Sequence, residues 1–185
     1  MRRNNQLIKS AAYHEASHAV IARVLTLACG RASIKPDRDS SGRSICFGPR
    51  ACEYEWEKRG KVREPDAVRY ARMIAFMAGA EGEVELLGST RGGDGEDRYQ
   101  IEEMALELEN CKDWAKVEAR LRAMTRMLVR RHRTLIERVA NALLRKRILS
   151  GEQLDVLVGR SVNDVKVNAP FLLEMHRQQA ERTGY

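Results

Sequence analysis

Two histidines lie four residues apart inside an apolar stretch of the chain that runs from Leu7 to Ala28. Residues four apart are neighbours on an α-helix, so the imidazoles of His14 and His18 can reach a common ion. Glu15 follows the first histidine and completes the pattern HExxH, in which the carboxylate can take a proton from a metal-bound water. A pair of imidazoles suits Zn²⁺. The pattern therefore predicts a buried helix that contributes two ligands to a metal site.

A metal-free arrangement of the same two histidines is the alternative. On a helix they share a stripe with Leu7, Ile21 and Leu25, and the helix is apolar over most of its circumference. Histidines on such a stripe need partners, because burying an unpaired polar group costs free energy. Hydrogen bonds within the core would also provide partners, but the glutamate between the two histidines favours a metal ion.

The composition is that of a globular protein. The chain has 185 residues, of which 43% are hydrophobic and 32% charged, enough for one domain with a substantial core. We expect a domain over residues 1–160 and a tail over residues 161–185 that is helical only in part or flexible. No apolar run approaches the ~18 residues of a membrane span, and no apolar segment of a secretory signal follows the basic N-terminus. The expected location is the cytoplasm, without membrane contact.

Four cysteines are present, and they include no CxxC pair. This pattern does not indicate a disulfide framework, which agrees with a reducing compartment. Cys46 and Cys52 are separated by five residues, whereas structural zinc sites usually have two to four between ligands. We therefore expect Cys29, Cys46, Cys52 and Cys111 to be free thiols rather than zinc ligands.

Positive charge is in excess, with a net charge of +7 and a pI near 9.5. Such a charge permits binding to nucleic acid or to another acidic surface. The densest basic run lies in residues 126–147, on a predicted helix with an apolar stripe and without a recognisable DNA-reading module. A solvated basic face is the favoured interpretation, and a nucleic-acid partner is not expected.

The remaining patterns predict a mainly α fold with a small β-hairpin or two short edge strands after the first helix. Gly30 is expected to cap that helix. Residues 32–35 and 44–47 alternate as short strands around a polar turn, and their edge can hold an extended peptide. Residues 49–64 read as an exposed connection. A helix with a face of small residues, which allows close packing, is then expected from Pro65 to a stop at Gly88.

The second half of the chain contains a glycine-rich loop over residues 89–97 and more helices. Asp97 lies at or near the N-terminus of the helix that follows, where it is a candidate ligand or a plain N-cap. Asp94, Glu96 and Glu102 are rival carboxylates for any metal. A further helix is predicted from residue 113 to about residue 144, with a break near His132. A short helix from Gln153 to Val158 follows an N-cap at Ser150.

Several of these stretches are similar to one family. The segment AYHEASHAV at residues 12–20 resembles the zinc helix of the FtsH-type protease domain, whose usual form is AYHEAGHAV. The segment AGAEGE at residues 78–83, continuing to Gly88, resembles that family's GGRAAE…FG helix. Residues 93–97 are similar to its GAxxD element, and residues 142–144 with 149–152 to its late ALL…TL-G-E pattern. The elements follow the family's order and cover residues from about 7 to 158.

The resemblance implies a helical zinc peptidase domain in which His14, His18 and Asp97 hold Zn²⁺ and Glu15 is the general base. Ser17 stands where the family has glycine, and the GAxxD element has become Gly-Asp-Gly-Glu-Asp. The family's membrane helices and its ATPase module are absent, and the chain has no GxxxxGK[ST] motif. We therefore expect a metalloendopeptidase that cleaves peptides or unfolded segments without its own ATPase. A homo-oligomer and a separate ATPase or regulator are compatible with this hypothesis.

Two other functional classes fit the same residues. One is a regulatory HExxH protein that binds or cleaves a single dedicated partner. The other is a non-catalytic interaction module that keeps a metal for stability alone, and salt-dependent binding to nucleic acid would favour it. Cleavage that is lost in Glu15→Gln would indicate a catalytic protein. Nucleic-acid binding that survives Glu15→Gln would indicate the non-catalytic module.

Overall fold

A computed structural model describes residues 2–27, 29–35, 43–46, 65–108 and 111–159. The described chain is mainly helical, as the sequence predicts, with one small antiparallel sheet. Its helices are α1 (Arg2–Val24), α2 (Pro65–Leu87), α3 (Gly95–Leu106), α4 (Trp114–Arg131), α5 (Arg133–Lys146) and α6 (Gly151–Val158). Its strands are β1 (Cys29–Ser33), β2 (Arg43–Cys46) and β3 (Ile148–Leu149). Among these helices none is both long and apolar enough to cross a bilayer.

Helix α1 is the central element of the packing. From residue 14 to residue 27 every side chain is buried, which is the burial expected of a helix that is apolar over most of its surface. Helices α2 and α5 pack against α1, and the other side of α2 contacts α3 and α4. The centre of the domain therefore contains the HExxH pattern, surrounded by alanine, valine and leucine side chains.

The first helix does not end at Gly30, so that prediction is wrong. Helix α1 ends at Val24, and Thr26 adopts the left-handed conformation with φ 62°. The N–H of Leu27 donates to the carbonyl of Ala22 (2.8 Å), and the N–H of Thr26 donates to the carbonyl of Arg23 (2.9 Å). These two bonds form a Schellman motif around threonine instead of glycine. Gly30 lies inside β1, six residues after the end of α1 at Val24.

The predicted hairpin is confirmed as an antiparallel pair, slightly earlier in the chain than expected. Strands β1 and β2 place Cys29 opposite Cys46 and Ser33 opposite Arg43. The predicted turn falls mostly on residues 36–42, which lie outside the described residues, as do the connection 49–64 and the tail 161–185. Strand β3 was not predicted; its two residues pair with the end of β1 and complete the order β2-β1-β3.

Most predicted helix boundaries are confirmed. Helix α2 begins at Pro65 and ends before Gly88, whose φ of 85° favours glycine. Asp113 caps α4 by accepting the N–H three residues later, and the expected break at His132 separates α4 from α5. Ser150 forms a capping box with the glutamine three residues on, although α6 begins at residue 151 rather than 153.

Candidate metal centre

Close packing of α1 against α2 places the two histidines at the helix interface. A Cβ atom at Gly79 would lie 2.5 Å from Nε2 of His18 and 2.6 Å from Nε2 of His14. Glycine is thus needed here because the two imidazoles occupy the space that any side chain would fill. Gly82, one turn later, has the same relation to Ser17, whose Cβ would be 2.7 Å from an added methyl group. The predicted small-residue face of α2 therefore leaves the space that the two imidazoles and Ser17 occupy.

The imidazoles meet a carboxylate from α3. Oδ2 of Asp97 lies 3.0 Å from Nε2 of His14 and 3.2 Å from Nε2 of His18. The rings are edge to face, with centroids 4.6 Å apart. One ligand atom from each of the three residues lies within 4.8 Å of the others, so the group could hold a metal ion. The structure therefore brings together the three residues that the family resemblance implies as ligands.

Both Nδ1 atoms are occupied by acceptors from α2. Nδ1 of His18 donates to the carbonyl oxygen of Ala75 (2.7 Å), and Nδ1 of His14 donates to Oε1 of Glu83 (2.8 Å). A carbonyl or a carboxylate oxygen can only accept, so each Nδ1 carries hydrogen and each Nε2 faces Asp97. Fixing the second ring nitrogen in this way orients an imidazole as a metal ligand.

Glu83 is the functional residue that the sequence reasoning missed. The side chain is almost fully buried and accepts hydrogen bonds from His14, from the hydroxyl of Ser10 and from the N–H of Arg91. Burial alone would raise the pKa of this carboxyl, but the three hydrogen bonds outweigh it and hold the pKa below its usual range. A signal was present, since Ala75, Gly79 and Glu83 recur every four residues and so share one face of α2.

The charges of the site support one another. Burial alone would lower the pKa of His14, but hydrogen bonds to Asp97 and Glu83 and the charges of Asp97 and Glu15 raise it to about 10. The pKa of His18 is also raised, because Asp97 and Glu15 outweigh burial. The pKa of Asp97 is lowered, since the two histidines outweigh the desolvation that would raise it. In the metal-free protein the site therefore holds protons where a cation would bind.

Glu15 follows His14 on α1 and is buried close to both candidate ligand histidines. It is 6% exposed, and its charge raises the pKa of both His14 and His18, which places the carboxylate within electrostatic reach of each ring. A carboxylate that is close to the histidine pair and outside the group His14, His18 and Asp97 can accept a proton from a water at the site.

The rival carboxylates are separated from the histidines. Asp94, not Asp97, is the N-cap of α3, and Asp97 lies in the first helical turn, so the plain N-cap interpretation is wrong. Glu96 accepts a hydrogen bond from Gln100 at the exposed side of the helix. Within the part of the chain that the structure describes, the metal-ligating group contains neither of these acids nor Glu102.

The basic run over residues 126–147 lies mainly on α4 and α5. Arg126 pairs with Glu81 (3.3 Å), and Arg130 makes two hydrogen bonds to Glu85 (2.6 and 2.7 Å). Carboxylates of α2 thus neutralise part of this positive charge. Elsewhere, Cys111 is a free thiol, as expected.

Comparison with known proteins gives no family for this chain. No model of a known protein family matches the sequence, and no curated protein matches it. The likeness to FtsH-type peptidases therefore rests on the short motifs in the sequence. Function has to be argued from the chemistry of the site.

Proposed function

We propose that this protein is a zinc-dependent metalloendopeptidase of FtsH type. The observation that carries the proposal is the convergence of two Nε2 atoms and one carboxylate, from His14, His18 and Asp97. The Nδ1 atoms of both histidines are already occupied by acceptors, so Nε2 is the atom left for a metal. A buried HExxH pattern with its third ligand in place supports a catalytic site.

The donor set fits Zn²⁺. Two imidazole nitrogens and one carboxylate oxygen are ligands that zinc accepts. Three protein ligands leave a fourth position for water or substrate, which is the arrangement of catalytic zinc sites rather than structural ones. Ala75 and Glu83 supply the acceptors that commonly orient zinc-bound histidines.

The residues of the chain divide the chemistry among them. When bound, zinc would supply Lewis acidity, which acidifies a water and polarises the scissile carbonyl. The Glu15 carboxylate would accept a proton from a water in the site and would deliver it to the leaving amine. Ala75 and Glu83 hold the imidazoles in one tautomer through the reaction. Because the groups around the site are buried, their electrostatic interactions are stronger than in water.

The substrates we propose are peptides and unfolded segments. The 185 residues contain no GxxxxGK[ST] motif, so the described domain brings no ATP-driven unfolding of its own. Among the described strands, β2 lies at one edge of the sheet, and an extended peptide can add to such an edge through backbone hydrogen bonds. A segment that is already unfolded can adopt this conformation without further work.

Degradation of unfolded casein by the zinc-loaded protein tests the proposal. We expect Glu15→Gln to keep one zinc per chain and to lower the rate of cleavage by about 10²–10⁴-fold, the usual contribution of a general base. Glu96→Gln is the matched control, because it makes the same change at an exposed acid outside the ligand group. Removal of zinc with a chelator should abolish cleavage by the wild type.

Unchanged cleavage by Glu15→Gln would contradict the mechanism. Zinc binding without any casein cleavage would favour the other two classes, a regulator that acts on one partner or a non-catalytic module. Cleavage of one partner protein at a single site would then identify the regulator.

A further inference from the structure

The two oxygens of the Glu83 carboxylate have different partners. Oε1 accepts the Nδ1–H of His14 (2.8 Å). Oε2 accepts the hydroxyl of Ser10 and the backbone N–H of Arg91 (3.1 Å). One oxygen thus contacts a metal-ligand candidate, while the other is held by groups from two separate parts of the chain.

We infer that Ser10 is a positioning residue of the metal site, acting on His14 through Glu83. Ser10 lies one helical turn before His14, so both side chains reach the same carboxylate from one face of α1. The inference rests on the proposed function only in assuming that the site binds a metal, and it holds whether or not peptides are cleaved.

Burial makes the serine hydroxyl important. Ser10 is 5% exposed and Glu83 is 2% exposed, so little water can replace a lost hydrogen bond. Hydrogen bonds to an ionised carboxylate are stronger than neutral ones, and a buried acceptor that loses its donor keeps the cost of desolvation. Without the hydroxyl, Oε2 retains the Arg91 N–H, and the carboxylate is free to turn away from the plane of the His14 ring.

The same carboxylate also links His14, through Oε1, to the loop that precedes Asp97, through Oε2. Arg91 belongs to the loop between α2 and α3, six residues before Asp97. The side chain of Arg91 donates in addition to Gln6 of α1 (2.9 Å). Glu83 therefore ties α1, α2 and this loop together at one carboxylate, and Ser10 holds that carboxylate from the α1 side.

The test compares metal dissociation from the wild type and from three variants. Ser10→Ala removes the hydroxyl, and Ser10→Thr restores it. Thr125→Val is the matched control, because Thr125 is a fully buried residue of α4 whose hydroxyl donates to the carbonyl of Leu121, four residues before it (2.7 Å). Zinc dissociation is followed with a chromophoric chelator, and the ligand-field spectrum of the cobalt-loaded protein reports the geometry around the metal.

We expect Ser10→Ala to release zinc about tenfold faster than the wild type and to change the cobalt spectrum, in line with other outer groups of metal sites. Ser10→Thr should restore both values, and Thr125→Val should change neither. Should Ser10→Ala not fold, Ser10→Cys supplies a weak S–H donor of similar size and should release zinc faster than the wild type.

Wild-type dissociation and an unchanged spectrum in the folded Ser10 variants would overturn the inference. An equal acceleration by Thr125→Val would also overturn it, because the effect would then be a general loosening of the fold. A wild-type protein that binds neither ion would overturn the proposed function and this inference together. Cleavage of casein does not enter the readout, so loss of peptidase activity alone leaves the comparison intact.

Discussion

The interface of α1 with α2 and the exposed arginine Arg130 of α4 differ in how far their charged side chains are buried. At the first, His14, His18 and Glu83 are each less than 10% exposed and are bonded to specific partners. At the second, the side chain of Arg130 is 67% exposed and pairs with Glu85 of α2. Burial of the charged groups, and not the number of ion pairs, therefore decides which charges determine the geometry of the site.

The physical reason lies in the cost of leaving a group unpaired. A buried charge without its partner retains a desolvation cost of several kcal/mol, so the buried partners must be kept in place. A surface arginine that loses its carboxylate is simply hydrated, and salt screens the pair in any case. The following changes should therefore act strongly at the α1–α2 interface and weakly on α4.

Gly79→Ala should have the largest effect. Its methyl group would lie about 2.5 Å from an imidazole nitrogen, so the helices must separate or the rings must leave their positions. We expect loss of zinc binding, measured by the metal content of the purified protein. Gly95→Ala is the matched control, because a Cβ there meets no atom within 4 Å. Full zinc occupancy in Gly79→Ala would contradict the geometry described for the site.

The pH dependence of metal uptake should be the next largest effect. In the metal-free protein the pKa of His14 is about 10, so below this pH Nε2 carries a proton in addition to the one on Nδ1. The metal must displace the Nε2 proton. The apparent affinity should therefore rise by about tenfold per pH unit below pH 10 for each proton released. Calorimetric titration in buffers of different ionisation enthalpy measures this release.

The same raised pKa fixes the sign of the pH effect on folding. Protonated His14 stabilises the folded metal-free protein, because its pKa is higher in the folded than in the unfolded chain. This stabilisation is fully present below the ordinary pKa of 6.5 and is lost as the pH rises towards 10. Metal uptake without proton release at pH 7 would contradict both statements.

Gly82→Ala should have a smaller effect that depends on Ser17. The added methyl group overlaps the Ser17 side chain, and overpacking of this kind typically costs about 1–3 kcal/mol. Ser17→Gly removes the obstacle, so the double variant should lose much less stability than the sum of the two single variants. Urea unfolding of all four proteins gives the coupling free energy. Additive effects would show that the two residues do not compete for the same space.

The smallest effects are expected for substitutions of two arginines, measured as changes in the free energy of unfolding. Arg23 is buried in α1 and donates to Asp155 (2.7 Å) and to the carbonyls of Ala19 and Gly151 (3.3 and 3.2 Å). Arg23→Ala should destabilise the fold by about 1–3 kcal/mol, because it removes a buried side chain together with its hydrogen bonds to the carbonyls of Ala19 and Gly151. Arg130→Ala should leave the urea midpoint unchanged at physiological salt. Equal effects of the two variants would contradict the distinction between buried and exposed charges.

Local signals predicted much of this structure. The HExxH helix, the cap at Ser150 and the break at His132 each depend on neighbours within about one helical turn, so the sequence showed them. The end of α1 was missed because the left-handed residue is Thr26, which carries no glycine signature. Strand β3 was missed because two residues are too short for a pattern.

The third ligand and its support depend on contacts that are distant in sequence. Asp97 was implied by the family resemblance, but local reasoning left it among several acids within one loop. Its contacts with His14 and His18 span about 80 residues of chain. Glu83 was missed for the same reason, since its partner His14 lies 69 residues away. No local sequence pattern indicates which carboxylates contact α1, because these contacts depend on the tertiary fold.

Diffraction from crystals of the zinc-loaded protein, measured at the zinc absorption edge, would locate the metal. We expect one anomalous peak bounded by Nε2 of His14, Nε2 of His18 and the carboxylate of Asp97, with Nδ1 of His14 still on Glu83. A peak on Asp94 or Glu96, or an empty site with Asp97 still bonded to both histidines, would contradict this expectation.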